Sequence, residues 1–173
     1  MTQYSKRMVI VHWLTLVLLI AAWFLGHELD EARHEGRAAL AGYVAHALAG
    51  VVILLLILMR LYFRSKDGIP APMGDTPMDK VAKGIHHLLH TVLIALPVSG
   101  VITLASSDVR RAIQAWDAAL LPRKFGGIFA HDVHEMLVTA LIVLVAVHVL
   151  GAFKHQFIMK DGLMERMSLR GRN

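Results

Sequence analysis

The sequence predicts an all-α integral membrane protein, built as one bundle of four helices. The chain has 173 residues, is 56% hydrophobic and has a mean hydropathy of +0.55, whereas an ordinary soluble domain is about 45–50% apolar. Its apolar residues fall in four long blocks separated by polar segments, and each block can cross a bilayer as a helix. One such bundle uses the whole chain, so residues 1–173 are expected to form a single domain.

Hydropathy places the four helices at about residues 8–26, 39–63, 82–105 and 128–153. Basic residues precede the first block, as they do in a signal peptide. However, its roughly 19 apolar residues exceed the usual length of a signal h-region, and no clear cleavage site follows. The first block is therefore predicted to be a retained transmembrane helix.

The connections between these blocks are polar. Residues 27–38 alternate acidic and basic side chains, and residues 64–80 are rich in proline and glycine, which predicts a loop. Residues 106–127 are expected to include a short interfacial helix. The tail after Lys154 is basic and is expected to lie along the membrane surface.

The distribution of lysine and arginine predicts the orientation of the chain. With the N-terminus inside, twelve of these residues lie on the inner side and six on the outer side. The positive-inside rule then places both termini in the cytoplasm. A pI near 9.8 does not indicate nucleic acid here, because the basic residues lie between hydrophobic spans.

The chain contains no cysteine. This excludes disulfides, thiolate metal sites, iron–sulfur clusters and the covalent attachment of c-type haem. Any haem that the chain holds is therefore bound without a thioether bond. The absence of cysteine does not indicate whether the chain faces an oxidising or a reducing compartment.

The histidines are the main candidates for functional residues. The chain has eleven, and several of them lie within the spans. A buried histidine taken singly is as well explained by a hydrogen bond to a neighbouring helix, but an ionisable residue in a membrane is a functional candidate. His134 and His148 are fourteen residues apart, nearly four helical turns, so both face the same way at about 21 Å separation. By depth, His12 matches His148 near the inner face, and His46 matches His134 near the outer face.

Paired histidines that face each other across a bundle are suited to axial ligation of a haem iron from both sides. Gly42 and Gly50 flank His46 at spacings of four, which would leave room for a porphyrin; packing of small residues between helices explains them as well. The H-D-V-H-E run from His131 to Glu135, which includes Asp132, is a competing zinc candidate, but it lacks the H-E-x-x-H spacing.

The chain resembles the bacterial cytochrome b561 family over nearly its whole length. The resemblance rests on five segments: Y-S-K-R-M-V-I-V-H-W-L (4–14), H-x(13)-R (46–60), I-A-L-P-V-S-G (94–100), H-E with His148 fourteen residues after its histidine (134–148), and M-K-D-G (159–162). Members are four-helix haem b proteins of bacterial membranes that exchange electrons with quinone. The superoxide oxidase type, which passes electrons from superoxide to ubiquinone, is the best match.

Carried onto this sequence, the resemblance implies two haem b groups. His12 and His148 would hold the inner haem, and His46 and His134 the outer haem. His86 also stands at a family histidine position and is a further candidate for haem or quinone contact. His90 replaces the aromatic residue that the family often has, so its role stays open.

We therefore expect a multi-pass protein of the bacterial inner membrane that moves electrons from an outer donor, superoxide, to ubiquinone. Lys154 and His155 are candidates for contacting the quinone, or else they reach toward the interface. Four basic residues of the third connection are candidates for steering an anionic donor, although contact with solvent or lipid phosphate explains them equally well: Arg110, Arg111, Arg123 and Lys124. Arg60 and Arg64 are candidates for pairing with haem propionates or lipid phosphates.

Two other functions stay open at this level. The chain could be a cytochrome b anchor subunit, which passes electrons between a protein partner of the dehydrogenase or hydrogenase type and the quinone pool. It could also be a histidine-rich metal transporter, which predicts helix breaks at mid-membrane; Pro97 is the only proline within a span.

Overall fold

The computed structural model describes residues 3–71, 74 and 76–169. These residues form five α-helices and no strand: α1 Lys6–His34, α2 Leu40–Asp67, α3 Pro77–Ser106, α4 Asp108–Ala115 and α5 Phe129–Phe153. Four helices in the described ranges are long and apolar enough to cross a membrane, the fourth continuing to Met159. The predicted all-α, four-helix membrane fold is therefore confirmed.

The four long helices pack as two hairpins. The most extensive backbone contacts join α1 to α2 and α3 to α5, and contact of α2 with α3 connects the two hairpins. Apolar side chains of α2, α3 and α5 form the core, which is built around Ile57, Leu89, Val92, Leu93 and Leu141. The backbones of α1 and α2 make far less contact with that of α5. A gap therefore separates the two hairpins on this side, and it is spanned by side chains.

The first helix is longer than predicted, because residues 27–34 continue it beyond the apolar block. Side chains one turn apart pair along this extension: His27 lies 3.5 Å from Glu31, and Arg33 pairs with Asp30. Such pairs support a helix in water. Hydropathy detects only the part of a helix that lies in hydrocarbon, so the predicted connection of residues 27–38 was wrong over most of its length.

The second connection is also shorter than predicted, because α2 extends to Asp67 and α3 begins at Pro77. A capping box starts α3: Thr76 Oγ accepts from Asp79 N at 3.3 Å, and Asp79 Oδ2 accepts from Thr76 N at 2.8 Å. Proline at the first helical position fits this start, since its missing N–H would have no helical partner. The helix stays continuous through Pro97.

We call the end of the bundle that holds residues 3–5 and 160–169 the inner end, and the opposite end the outer end, following the predicted orientation. The predicted short helix in the outer connection is confirmed as α4. At the inner end, α5 continues as a π-helical turn, and the following segment packs back on α1. Trp13 Nε1 donates to the Met167 carbonyl at 3.2 Å, and Tyr4 N donates to the Arg166 carbonyl at 3.1 Å.

Candidate functional site

At the outer end, two half-buried imidazoles face each other across the gap between the hairpins. The ring centres of His46 on α2 and His134 on α5 are 6.2 Å apart. His46 Nδ1 lies 3.1 Å from the Ala22 carbonyl oxygen, and His134 Nδ1 lies 3.0 Å from that of Leu96. A carbonyl can only accept, so both Nδ1 atoms carry the proton and donate. Each Nε2 therefore keeps a lone pair for a metal ion.

At the inner end, three imidazoles meet instead of two. The ring centre of His148 lies 6.4 Å from that of His12 and 5.1 Å from that of His86. The Arg60 guanidinium donates a hydrogen bond to His12 Nδ1. Because a guanidinium has no acceptor, His12 carries its proton on Nε2 in this arrangement. His12 must therefore release Arg60 before its Nε2 can bind a metal ion.

The separations of the rings test whether these pairs fit one metal ion. A metal–imidazole bond is about 2.0 Å long and the bonding nitrogen lies about 1.1 Å from its ring centre, so imidazoles on opposite sides of one ion have centres about 6.2 Å apart. The pairs His46–His134 and His12–His148, at 6.2 and 6.4 Å, match this value. His86 and His148, at 5.1 Å, are about 1 Å too close. The residues present thus fit one bis-histidine iron at each end.

Glycines lie against both outer histidines. A Cβ added to Gly26 would lie 3.1 Å from His46 Cε1, and one added to Gly100 would lie 3.2 Å from His134 Cε1. The glycines singled out from the sequence behave differently. Gly42 packs against α1, where a Cβ would lie 2.8 Å from Leu29 Cδ2, so it serves helix packing. Gly50 has no neighbour within 4 Å of an added Cβ, which leaves the predicted space on that side.

A pocket of about 340 Å³ opens at the outer end beside α4. Its lining includes Arg110, Arg111 and Lys124, whereas Arg123 lies outside it. All four side chains are exposed, and Arg111 pairs with Asp108 at 3.3 Å. Three of the four predicted anion-steering residues are therefore brought together around one opening.

At the inner end, His155 is held by a carboxylate that the sequence reasoning gave no role. Its Nδ1 lies 2.5 Å from Asp161 Oδ2, and Asp161 Oδ1 accepts from Leu163 N at 3.1 Å. Partial burial alone would raise the pKa of Asp161, but the hydrogen bonds from His155 and from the main chain outweigh it and hold that pKa below its usual value. Lys154 is exposed at the start of the π-helical turn. Asp161 lies in the M-K-D-G segment that carries part of the family resemblance, and this segment was the sequence signal that could have identified it.

The remaining candidate histidines have other partners. His90 Nδ1 lies 2.5 Å from the His86 carbonyl oxygen. His131 stacks on Phe125 with ring centres 4.4 Å apart, and its Nε2 lies 3.7 Å from Glu135. Within the described ranges, no three His, Asp or Glu side chains are grouped so as to hold a metal ion.

A four-helix membrane fold with imidazoles paired across the bundle is typical of b-type membrane cytochromes. The chain belongs to the prokaryotic cytochrome b561 family, whose sequence profile matches residues 3–169. It is therefore a multi-pass bacterial membrane protein that takes part in electron transfer. Membership of a cytochrome b family implies that its cofactor is haem b.

Individual relatives span nearly the whole chain. Cytochrome b562 of Cereibacter sphaeroides is 29% identical over 168 residues, which cover 95% of this chain and 94% of that protein. Cytochrome b561 homolog 1 of Escherichia coli is 26% identical, covering 96% of this chain and 97% of the relative. A probable superoxide oxidase of Yersinia pestis is 26% identical over 95% of both chains. No solved structure matches the chain.

Proposed function

We propose that this chain moves electrons across the bacterial inner membrane from superoxide at its outer end to ubiquinone at its inner end. The observation that carries the proposal is the pair of facing imidazoles at each end of the bundle, with ring centres 6.2 and 6.4 Å apart. Two haem b groups, when bound between these pairs, would supply reversible one-electron transfer.

The histidines determine how the haems are held. His46 and His134 would ligate the outer iron, and His12 and His148 the inner iron. Ligation from both sides leaves no open position on the metal, which favours electron transfer over oxygen binding. Arg60, once released from His12, would pair with a haem propionate.

The orientation follows from charge. The predicted topology assigns twelve Lys and Arg residues of the sequence to the inner side and six to the outer side, so both termini are proposed to be cytoplasmic. The outer pocket then faces the compartment outside the inner membrane, where it meets the donor.

The outer end is built to attract an anion. Arg110, Arg111 and Lys124 surround the pocket, and clustered cations at an opening raise the encounter rate with a small anion. The overall reaction balances when two superoxide anions each give up one electron and become dioxygen. One ubiquinone takes these two electrons and two protons and becomes ubiquinol.

The inner end supplies protons. His155 lies against Asp161, which fixes its ring and accepts from its Nδ1. In its protonated form, an imidazole held in this way carries a proton on Nε2 as well, which it can pass to a quinone oxygen before it is reprotonated from the cytoplasm. Lys154 adds a neighbouring cation that favours the negative charge gained on reduction. His86, beside His148, is a further candidate for quinone contact.

A second function has a specific observation in its favour. The outer pocket, at about 340 Å³, is far larger than a diatomic anion, and its exposed cations would equally dock an acidic protein surface. In that case the chain is an anchor subunit that receives electrons from a redox partner.

The two functions are separated by presenting superoxide to the purified, haem-loaded protein without any partner. Our proposal predicts haem reduction and one ubiquinol for every two superoxide anions consumed, abolished when superoxide dismutase is added first. Protein whose haems superoxide leaves oxidised, but which a co-purifying redox protein reduces, would contradict superoxide as the donor and support the anchor function.

A further inference from the structure

We infer that α1 and α3 carry matched seats for the two outer histidines, each made of a main-chain carbonyl and the glycine four residues later, and that Ser99 makes the two seats unequal. The inference rests on the proposed role of His46 and His134 as haem ligands. It assigns positioning roles to residues that bind no haem iron themselves.

The seat on α1 consists of Ala22 and Gly26. In a helix the carbonyl of Ala22 is the acceptor for the N–H of Gly26, and its second lone pair is free for a side chain. The Nδ1–H of His46 takes that position at 3.1 Å. The imidazole edge lies over Gly26, where an added Cβ would lie 3.1 Å from Cε1.

The seat on α3 repeats this arrangement with Leu96 and Gly100. His134 Nδ1 lies 3.0 Å from the Leu96 carbonyl oxygen, and a Cβ at Gly100 would lie 3.2 Å from His134 Cε1 and 3.4 Å from its Nδ1. Both seats therefore combine one carbonyl and one glycine at the same spacing, although they belong to different hairpins and share no sequence motif.

Each part of a seat has its own effect. The carbonyl fixes the tautomer, because an oxygen that only accepts holds the proton on Nδ1 and leaves Nε2 free. The glycine sets how close the ring approaches the helix. Contacts of 3.1 to 3.2 Å are tighter than a Cβ normally makes, so an alanine there requires the ring to shift by a few tenths of an ångström from its place beside the carbonyl.

Ser99 distinguishes the second seat from the first. Its Oγ lies 3.0 Å from His134 Nδ1 and donates to the Leu96 carbonyl at 2.8 Å. The Nδ1–H of His134 therefore has two acceptors, whereas that of His46 has one. When one ring nitrogen binds a metal ion, a hydrogen-bond acceptor for the N–H of the other ring nitrogen, here Nδ1, raises the basicity of the imidazole. A more basic ligand stabilises the oxidised iron, so Ser99 is expected to lower the potential of the outer haem.

The seats are tested with Gly26→Ala and Gly100→Ala, and Gly84→Ala serves as the matched control. Gly84 is exposed in α3, with no atom within 4 Å of an added Cβ, so an alanine there should hold or raise thermal stability. We expect Gly84→Ala to keep the full haem content of the wild type. Each seat variant should lose about half of it, and the missing species should be the one that His46→Ala also lacks.

Ser99 is tested in parallel with Ser99→Ala and Ser99→Thr, which need no room for a new Cβ. Redox titration of the purified protein should show one midpoint potential raised in Ser99→Ala and the other unchanged. Ser99→Thr keeps the hydroxyl and should restore the wild-type value. The raised component is assigned to the outer haem if it is absent from His46→Ala.

The inference is overturned if both seat variants behave like Gly84→Ala and neither midpoint potential changes in Ser99→Ala. It is also overturned if Ser99→Thr shifts a potential as far as Ser99→Ala does. A wild-type protein without haem would instead overturn the proposed function, so the two failures are distinguishable.

Discussion

The two ends of the bundle present their histidines differently. At the outer end, His46 and His134 each donate to a main-chain carbonyl, which fixes the tautomer and the ring position. At the inner end, His148 lies close to both His12 and His86, and Arg60 donates to His12. In the described part of the chain, neither His12 nor His148 has a carbonyl partner of this kind.

The bundle therefore contains a preorganised centre at its outer end and an adjustable one at its inner end. Main-chain carbonyls in a helix cannot move without unwinding it, so the outer rings are held in place before a metal ion arrives. At the inner end, the hydrogen-bond partner of His12 is the Arg60 side chain, which can turn. This agrees with the proposed function, which assigns quinone reduction to the inner end, beside His155 and Asp161.

The largest expected effect comes from removing one ligand at each end. His46→Ala should abolish binding of the outer haem, because in the described ranges no third imidazole is in ring contact with that pair. His12→Ala should keep part of the inner haem, because His86 lies beside His148 and a shift of about 1 Å would bring this pair to the separation that one metal ion requires. Haem content per chain measures both. The proposed adjustability of the inner centre is contradicted if His12→Ala loses the inner haem as completely as the double variant His12→Ala/His86→Ala.

A smaller effect is expected from the outer pocket. The double variant Arg110→Gln/Lys124→Gln should slow haem reduction by superoxide about tenfold at low salt, since clustered cations steer anions. The difference should shrink as salt screens the charges. Arg123→Gln is the control, because Arg123 does not line the pocket. Equal slowing in all variants, or no dependence on salt, would contradict steering by the pocket.

Arg60 should affect the inner centre alone. Arg60→Gln removes a cation that favours the reduced haem, so the inner midpoint potential should fall by about 60 mV, a tenfold change in the one-electron equilibrium constant. Arg64→Gln, one turn further along α2, should shift it less. Redox titration checks both variants. A shift of the outer potential instead would show that Arg60 does not belong to the inner centre.

The smallest expected effect concerns Asp161. Asp161→Asn should slow ubiquinol formation about fivefold and leave the haem content unchanged, because His155 loses the carboxylate that orients it. Asp117→Asn at the outer end should change neither quantity. Since the pKa of Asp161 is lowered on folding, its stabilising contribution is full above about pH 4 and is lost as the pH falls through the lowered value. Ubiquinol formation as slow in Asp117→Asn as in Asp161→Asn would argue against a specific role.

The sequence predicted the helices well where they lie in hydrocarbon and poorly where they lie in water. Apolar length is a strong signal, so all four spans were found. Residues 27–34 were missed because charged residues can be helical in water as readily as they can form a loop. The start of α3 at Pro77 was missed although T-P-M-D is a capping box, because hydropathy ignores capping.

Helical periodicity and depth predicted that His12 would lie near His148 and His46 near His134, and the structure places these rings together. Their ligation of haem stays a prediction. The partners of these rings could not be predicted, since carbonyls at Ala22 and Leu96 leave no trace in residue identity. Gly26 and Gly100 were not recognised as histidine contacts, because any helical glycine can also serve packing between helices.

The presence of one bis-histidine haem at each end of the bundle is tested by the haem content and the reduced-minus-oxidised spectrum of the purified wild-type protein, measured beside His46→Ala and His148→Ala. Two non-covalent b haems per chain in the wild type, with each variant lacking a different one, is the predicted result. A folded wild-type protein without haem, or two variants that lack the same haem, would contradict the assignment of one bis-histidine centre to each end of the bundle.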